Sequence, residues 1–210
     1  MGTWERTHSD DYELWLETPA VDRERAEAAI ALFSSDPEAA LRVFVDLAEG
    51  GMAWAMETVA DYYAYGTAVA ADFERAQDYY CRAIHAGSWM ATLGYAKLLA
   101  GHGYFDECET LLRDGVEQDF IPACFWLAWY RLKQSPDAAT RRAVRSLLER
   151  AAEAGHPAAE MHLARMRLSG RFGLREIPAG IRAFLRVSER SRVEAEVEKD
   201  AHSQQVQAVG

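Results

Sequence analysis

Only three cysteines occur in this sequence, Cys81, Cys108 and Cys124, and no two stand in a CxxC spacing. An odd count without that spacing builds neither a disulfide framework nor a zinc ribbon. Each falls within a helical pattern, where a free thiol serves as a small apolar side chain. Alternating runs of β-branched residues are nearly absent, which leaves little from which to pair strands. Six prolines among 210 residues are too few for a disordered chain. No apolar stretch approaches the roughly 20 residues that a membrane span needs. The opening MGTWERTHSDDYELW is polar and acidic and has no apolar core like that of a signal peptide, so the expectation is a soluble, cytoplasmic protein. Positive charge is outnumbered, with 23 Lys and Arg against 33 Asp and Glu and a net charge of −10. That balance argues against nucleic acid and against anionic membrane as partners.

Half the residues are hydrophobic, and alanine, leucine, glutamate and arginine dominate, a composition that favours helix. Charge is unevenly spread. Residues 1–50 hold twelve acids against Arg6, Arg23, Arg25 and Arg42, a net of −8. From Arg141 to Arg192 there are twelve arginines against five acids, a net of +7. Such polarity orients a partner, pairs two copies head to tail, or simply marks solvated helix faces.

Small residues recur at fixed intervals. Gly51, Gly87, Asp119 and Gly155 each close a helical segment. An alanine stands four residues after each (Ala55, Ala91, Ala123, Ala159), and another five residues further on (Ala60, Ala96, Ala128, Ala164). A larger apolar residue precedes each of the second set: Val59, Tyr95, Leu127, Leu163. Ala40, Ala76, Cys108 and Val144 lie eleven residues before the closing positions, and Gly180 continues that series. Each unit reads as two helices. The first appears in AWAMETVADYYAYG, PACFWLAWYRLK and PAAEMHLARMRLSG. The second appears in DFERAQDYYCRAIHAG, FDECETLLRDGVEQD and ATRRAVRSLLERAAEAG. Their apolar residues step by three and four. Asp72 and Thr140 are expected N-caps, and Asp36-Pro37 fits an N-cap followed by proline at the first helical position. One helix pair cannot bury its apolar face, so pairs must stack.

The pattern A-x-x-x-L-G-x-x-Y-x-x-G followed by D-x-x-x-A-x-x-Y-x-x-A-x-x-G resembles the Sel-one-like repeat, a relative of the tetratricopeptide repeat. Ala60, Tyr63, Gly66, Asp72, Ala76, Tyr79, Tyr80, Ala83 and Gly87 carry the match. The likeness extends over about residues 37–190 and is strongest from Ala55 to Gly87. It implies an all-α fold, an α/α right-handed superhelical solenoid of stacked antiparallel helix pairs used for protein–protein contact. Residues 21–190 are then the repeat domain. Residues 1–20 form an acidic segment in which DDYELWLE is a short helix covering the end of the stack, and residues 191–210 form a polar tail.

No catalytic set stands out. None of His8, His85, His102, His156, His162 and His202 enters an HExxH or Cys-His zinc spacing, and no cofactor or metal is expected. The glycines around His102 lack the Lys-Ser/Thr of a phosphate loop. Asp106, Glu107 and Glu109 near Cys108 would raise its thiol pKa rather than activate it. The i, i+4 spacing of Glu57 and Asp61 reads as one face of a helix rather than a glycosidase pair. Cysteine-rich members of the resembled family are associated with β-lactam binding or hydrolysis, but this chain lacks their cysteine pairs, and a non-enzyme is expected. In tetratricopeptide-like stacks the first helix of each pair lines the concave side. The resemblance therefore implies a partner-binding groove at Trp54, Glu57, Asp61, Tyr65, Leu93, Lys97, Phe125, Trp129, Lys133, Met161 and Arg165. Phe125, Trp126, Trp129 and Tyr130 cannot all face one way, so at least two of them pack inside. Tyr63, Tyr79 and Tyr80 match packing positions. The resulting expectation is an adaptor of bacterial type that takes a peptide or helix of another protein in the groove. The alternative is a homo-oligomer joined through the acidic and arginine-rich halves.

Overall fold

The computed structural model describes residues 13–190 and Arg192, so the first twelve residues and nearly all of the expected tail lie outside the described residues. Every regular element among the described residues is helical. After a short helical stretch over 13–17 come α1 (Ala20–Leu32), α2 (Pro37–Glu49), α3 (Ala53–Tyr65), α4 (Phe73–His85), α5 (Trp89–Gly101), α6 (Phe105–Glu117) and α7 (Ile121–Gln134). There follow α8 (Ala138–Ala143), α9 (Arg145–Glu153), α10 (Pro157–Leu168), a 3₁₀ turn at Leu174–Glu176 and a last helix over 177–190. The chain divides into two compact units, one running to Leu127 and the other starting at Ala128. In the first, each helix from α1 to α5 packs on the one that follows it, and α3 also packs on α5. In the second, α8 packs on α9 and α9 on α10.

The intervals read from the sequence have two physical causes. The closing positions Gly51, Gly87, Asp119 and Gly155 all have positive φ, at 98°, 96°, 63° and 90°. A left-handed residue there reverses the chain after a helix, glycine adopts it without strain, and aspartate tolerates it better than most residues with a side chain. The small positions mark close packing. Ala55, Ala91, Ala123 and Ala159 are fully buried, as are Ala60, Ala96, Ala128 and Ala164 to within 1%. Ala40, Ala76, Cys108, Val144 and Gly180 are buried as well. A Cβ on Gly180 would stand 2.6 Å from the backbone nitrogen of Leu168, so only glycine lets the last helix approach α10 so closely. The three cysteines are free thiols, and burial pushes the Cys108 thiol up to about 11.

The capping residues are as expected at two helices and not at a third. The Asp36 carboxylate accepts from the Ala39 N–H at 2.9 Å, and that of Asp72 from the Arg75 N–H at 3.0 Å. Thr140 is not an N-cap. Asp137 fills that role, accepting from the Thr140 N–H at 2.7 Å and from the Ser135 hydroxyl at 3.0 Å, and these donors hold its carboxyl below the usual range. The helix expected to begin at Thr140 therefore begins at Ala138 and is divided at Val144 into α8 and α9. In the last helix Pro178 sits in the first turn, where its missing N–H removes no intrahelical bond.

Candidate functional site

In α3 the core takes Ala55, Met56, Val59, Ala60 and Tyr62. Trp54, Glu57, Asp61 and Tyr65, stepping by three and four, then fall on the other side. On α5, Leu93 and Lys97 do the same while Ala91, Ala96, Leu98 and Leu99 are buried. Because α3 packs on α5, the two rows adjoin. The Tyr80 hydroxyl, from α4, donates to the Asp61 carboxylate. Burial pushes the Asp61 carboxyl above its ordinary range, against the opposing pull of Tyr80 and of the Lys97 charge. The Lys97 ammonium lies 4.9 Å from the centre of the Tyr65 ring. Its pKa is raised, first by a hydrogen bond with Tyr65 and also by the Asp61 charge. Tyr65 itself is 55% exposed.

At the other end of the row, Ser88 donates to Glu57 at 3.2 Å and accepts from the Ala91 N–H at 3.2 Å, which caps α5. Trp54 meets Phe44 edge-on at 5.7 Å and Trp15 edge-on at 5.3 Å. A cleft of about 220 Å³ opens beside it, lined in part by Leu14, Trp15, Glu57, Ser88 and Met90.

Elsewhere the expected groove positions scatter. Phe125 is 7% exposed and has little surface to offer, while its T-shaped neighbour Trp126 is half-buried. In the second unit, the Lys133 ammonium sits 4.9 Å over the Trp129 ring. Met161 is half-buried and Arg165 exposed. Between those two, burial holds the His162 imidazole below its ordinary pKa, helped by Arg171 and Arg165. Among the described residues no cluster of His, Cys, Asp or Glu is placed to hold a metal ion, and no helix is long and apolar enough to cross a membrane.

All three tyrosines assigned to packing do pack: Tyr80 is fully buried, and Tyr63 and Tyr79, half-buried against the core, also stack on each other at 6.0 Å. Two features were not anticipated. Arg75 and Arg82 lie over the Tyr63 and Tyr79 rings at 5.3 and 4.8 Å. Arg82 and the Tyr79 hydroxyl both donate to Glu49, at 2.9 and 3.1 Å, tying α4 to α2. The second feature is Trp15. The helix over DDYELWLE is expected at the end of the stack, whereas its described part, 13–17, sets Trp15 against Trp54 of α3.

The Asp61 environment sets a pH dependence. An acid whose folded pKa is raised holds more protons folded than unfolded, so stability falls as pH rises from its unfolded to its folded value. Asp137 and Glu49, whose carboxyls are held below their ordinary range, contribute the opposite slope, so the Asp61 contribution is read in thermal melts through the acidic range as the difference between wild type and an Asp61 variant. Asp61→Asn should gain stability relative to wild type as pH rises through that window. An unchanged profile would refute the burial argument.

No family model matches the sequence, and no curated protein does. Among solved structures, the chain is similar to a Sel1 repeat protein from Oxalobacter formigenes, at 18% identity, covering 78% of this chain and 69% of that one with a TM-score of 0.62. It is also similar to MamA, from residue 41 to its end, from Desulfovibrio magneticus RS-1, at 14% identity, covering 83% and 97% with a TM-score of 0.53. With every regular element among the described residues helical and successive helices packed together within each unit, the chain has the fold of the Sel1-type helical repeat proteins.

Proposed function

We propose that the chain is a protein-interaction scaffold whose α3/α5 face receives a peptide or helix of another protein. In the second unit, taken by itself, Trp129 with Lys133 over its ring, Met161 and Arg165 are proposed as a further contact surface. The observation that carries this reading is the pairing along α3 and α5. Asp61 accepts a hydrogen bond from Tyr80 and Lys97 lies over the Tyr65 ring, while Trp54 and Tyr65 keep apolar surface open to solvent. A face with its side chains fixed in advance loses less entropy on binding, and aromatic side chains are the usual anchors.

Trp54→Ala and Trp129→Ala are each expected to weaken an identified partner's binding by about tenfold or more, the scale of an interface hot spot, with far-UV circular dichroism unchanged. Unaltered affinity in both would overturn the groove assignment. Self-association is the weaker reading, because part of the arginine-rich charge is already matched at home. Arg145 pairs with Glu149 at 2.9 Å, Arg167 with Glu149 at 3.1 Å, and Arg190 with Glu160 at 2.7 Å.

A further inference from the structure

The stretch 13–18 occupies part of the face just described. Leu14, Trp15 and Thr18 are half-buried, while Glu13, Leu16 and Glu17 point outward. Trp15 stands edge-on to Trp54 at 5.3 Å, and Leu14 reaches the α4–α5 turn, where a Cβ on Gly87 would lie 3.5 Å from its Cδ1. The helix ends itself: the Thr18 hydroxyl donates to the Leu14 carbonyl at 3.1 Å, and Pro19 follows. What the described part of this helix touches is the α3 face, through Trp15, and the α4–α5 turn, through Leu14. A solvent-open cleft of about 220 Å³ adjoins the segment beside Trp54, Glu57, Ser88 and Met90.

We propose that residues 13–18 are a displaceable resident of the α3/α5 face. The partner taken there is then a short helical segment of another protein with adjacent Leu and Trp side chains. Its apolar pair takes the places of Leu14 and Trp15, and its extra bulk fills the cleft. This rests on the groove reading above and specifies the chemistry of its ligand. A tethered resident competes at an effective concentration of about millimolar. The free protein is therefore partly closed to weak ligands and open to those that fill the cleft.

The test uses the full chain and a fluorescein-labelled peptide with the sequence of residues 10–20, DDYELWLETPA. The Leu14→Ala/Trp15→Ala variant should bind this peptide at least about tenfold more tightly than the wild type, since its internal competitor is weakened. Adding Trp54→Ala should abolish the gain. Equal affinity of wild type and double variant would overturn the proposal. Should the double variant lose helicity, amide exchange on isotope-labelled wild type decides. Saturating unlabelled peptide is expected to lower protection at residues 14–18 but not at 54–58, and unchanged protection at 14–18 overturns the idea. The two readings fail separately. If Trp54→Ala weakens a partner while the double variant gains nothing for the peptide, the groove stands and the resident ligand falls. If Trp54→Ala has no effect on any partner, the groove itself falls.

Discussion

Gly180→Ala is expected to lower the stability of the second unit by about 3 kcal/mol, the upper end of what overpacking a tight contact costs. The added methyl would lie 2.6 Å from the Leu168 nitrogen and 2.9 Å from both the carbonyl carbon and the Cβ of Arg167. Two of these atoms are backbone inside α10, which cannot swing aside as a flexible side chain would. The last helix must therefore move away from α10 and give up the burial of Val187. Urea unfolding monitored by circular dichroism would report the change as a lower midpoint at similar slope. Gly101→Ala is the matched control. It sits at the end of α5, where an added Cβ meets nothing within 4 Å. Replacing glycine by alanine at an unstrained helical position stabilises by about 0.5–1 kcal/mol. If both variants shift the midpoint in the same direction, the close approach at Gly180 is not what limits that residue.

Tyr80→Ala should cost about 4 kcal/mol in the first unit, within the range for removing a large buried aromatic side chain. The Tyr80 ring is fully buried, faces Tyr95 at 6.0 Å, and lies so near α5 that a Cβ on Gly94 would stand 2.6 Å from its Cε1. Its hydroxyl is a donor to Asp61, and burial is the first reason that its own pKa is raised far above the ordinary tyrosine value. Tyr80→Phe separates packing from hydrogen bonding. It keeps the ring, withdraws the donor from a mostly buried carboxylate, and should cost about 1–3 kcal/mol. A Phe variant as stable as wild type would mean that Asp61 finds a new donor or is protonated. An Ala variant losing less than the Phe variant would contradict the packing argument altogether.

The fold was legible because its cause is local. A glycine or aspartate at φ > 0 and an alanine where two helices touch leave marks at fixed intervals in the chain. The missed N-cap shows where such reasoning stops. Thr140 and Asp137 are both good capping residues, and the choice between them depends on Ser135 and the Thr140 N–H converging on one carboxylate. The candidate face was half legible. The family resemblance implied one face for Trp54, Glu57, Asp61 and Tyr65. It did not reveal that Asp61 is bonded to a tyrosine nineteen positions away, or that Phe125 is turned into the core. Side-chain direction at an aromatic cluster such as FWLAWY is set by neighbouring helices, information that a helical period does not contain.

All three thiols, Cys81, Cys108 and Cys124, precede Leu127, and two of them are buried. Alkylation kinetics can therefore time the opening of one half of this protein without any engineered label, while the other half stays silent. Gly180→Ala, placed in the silent half, should leave those kinetics untouched if the halves open independently, and accelerate them if they open as one.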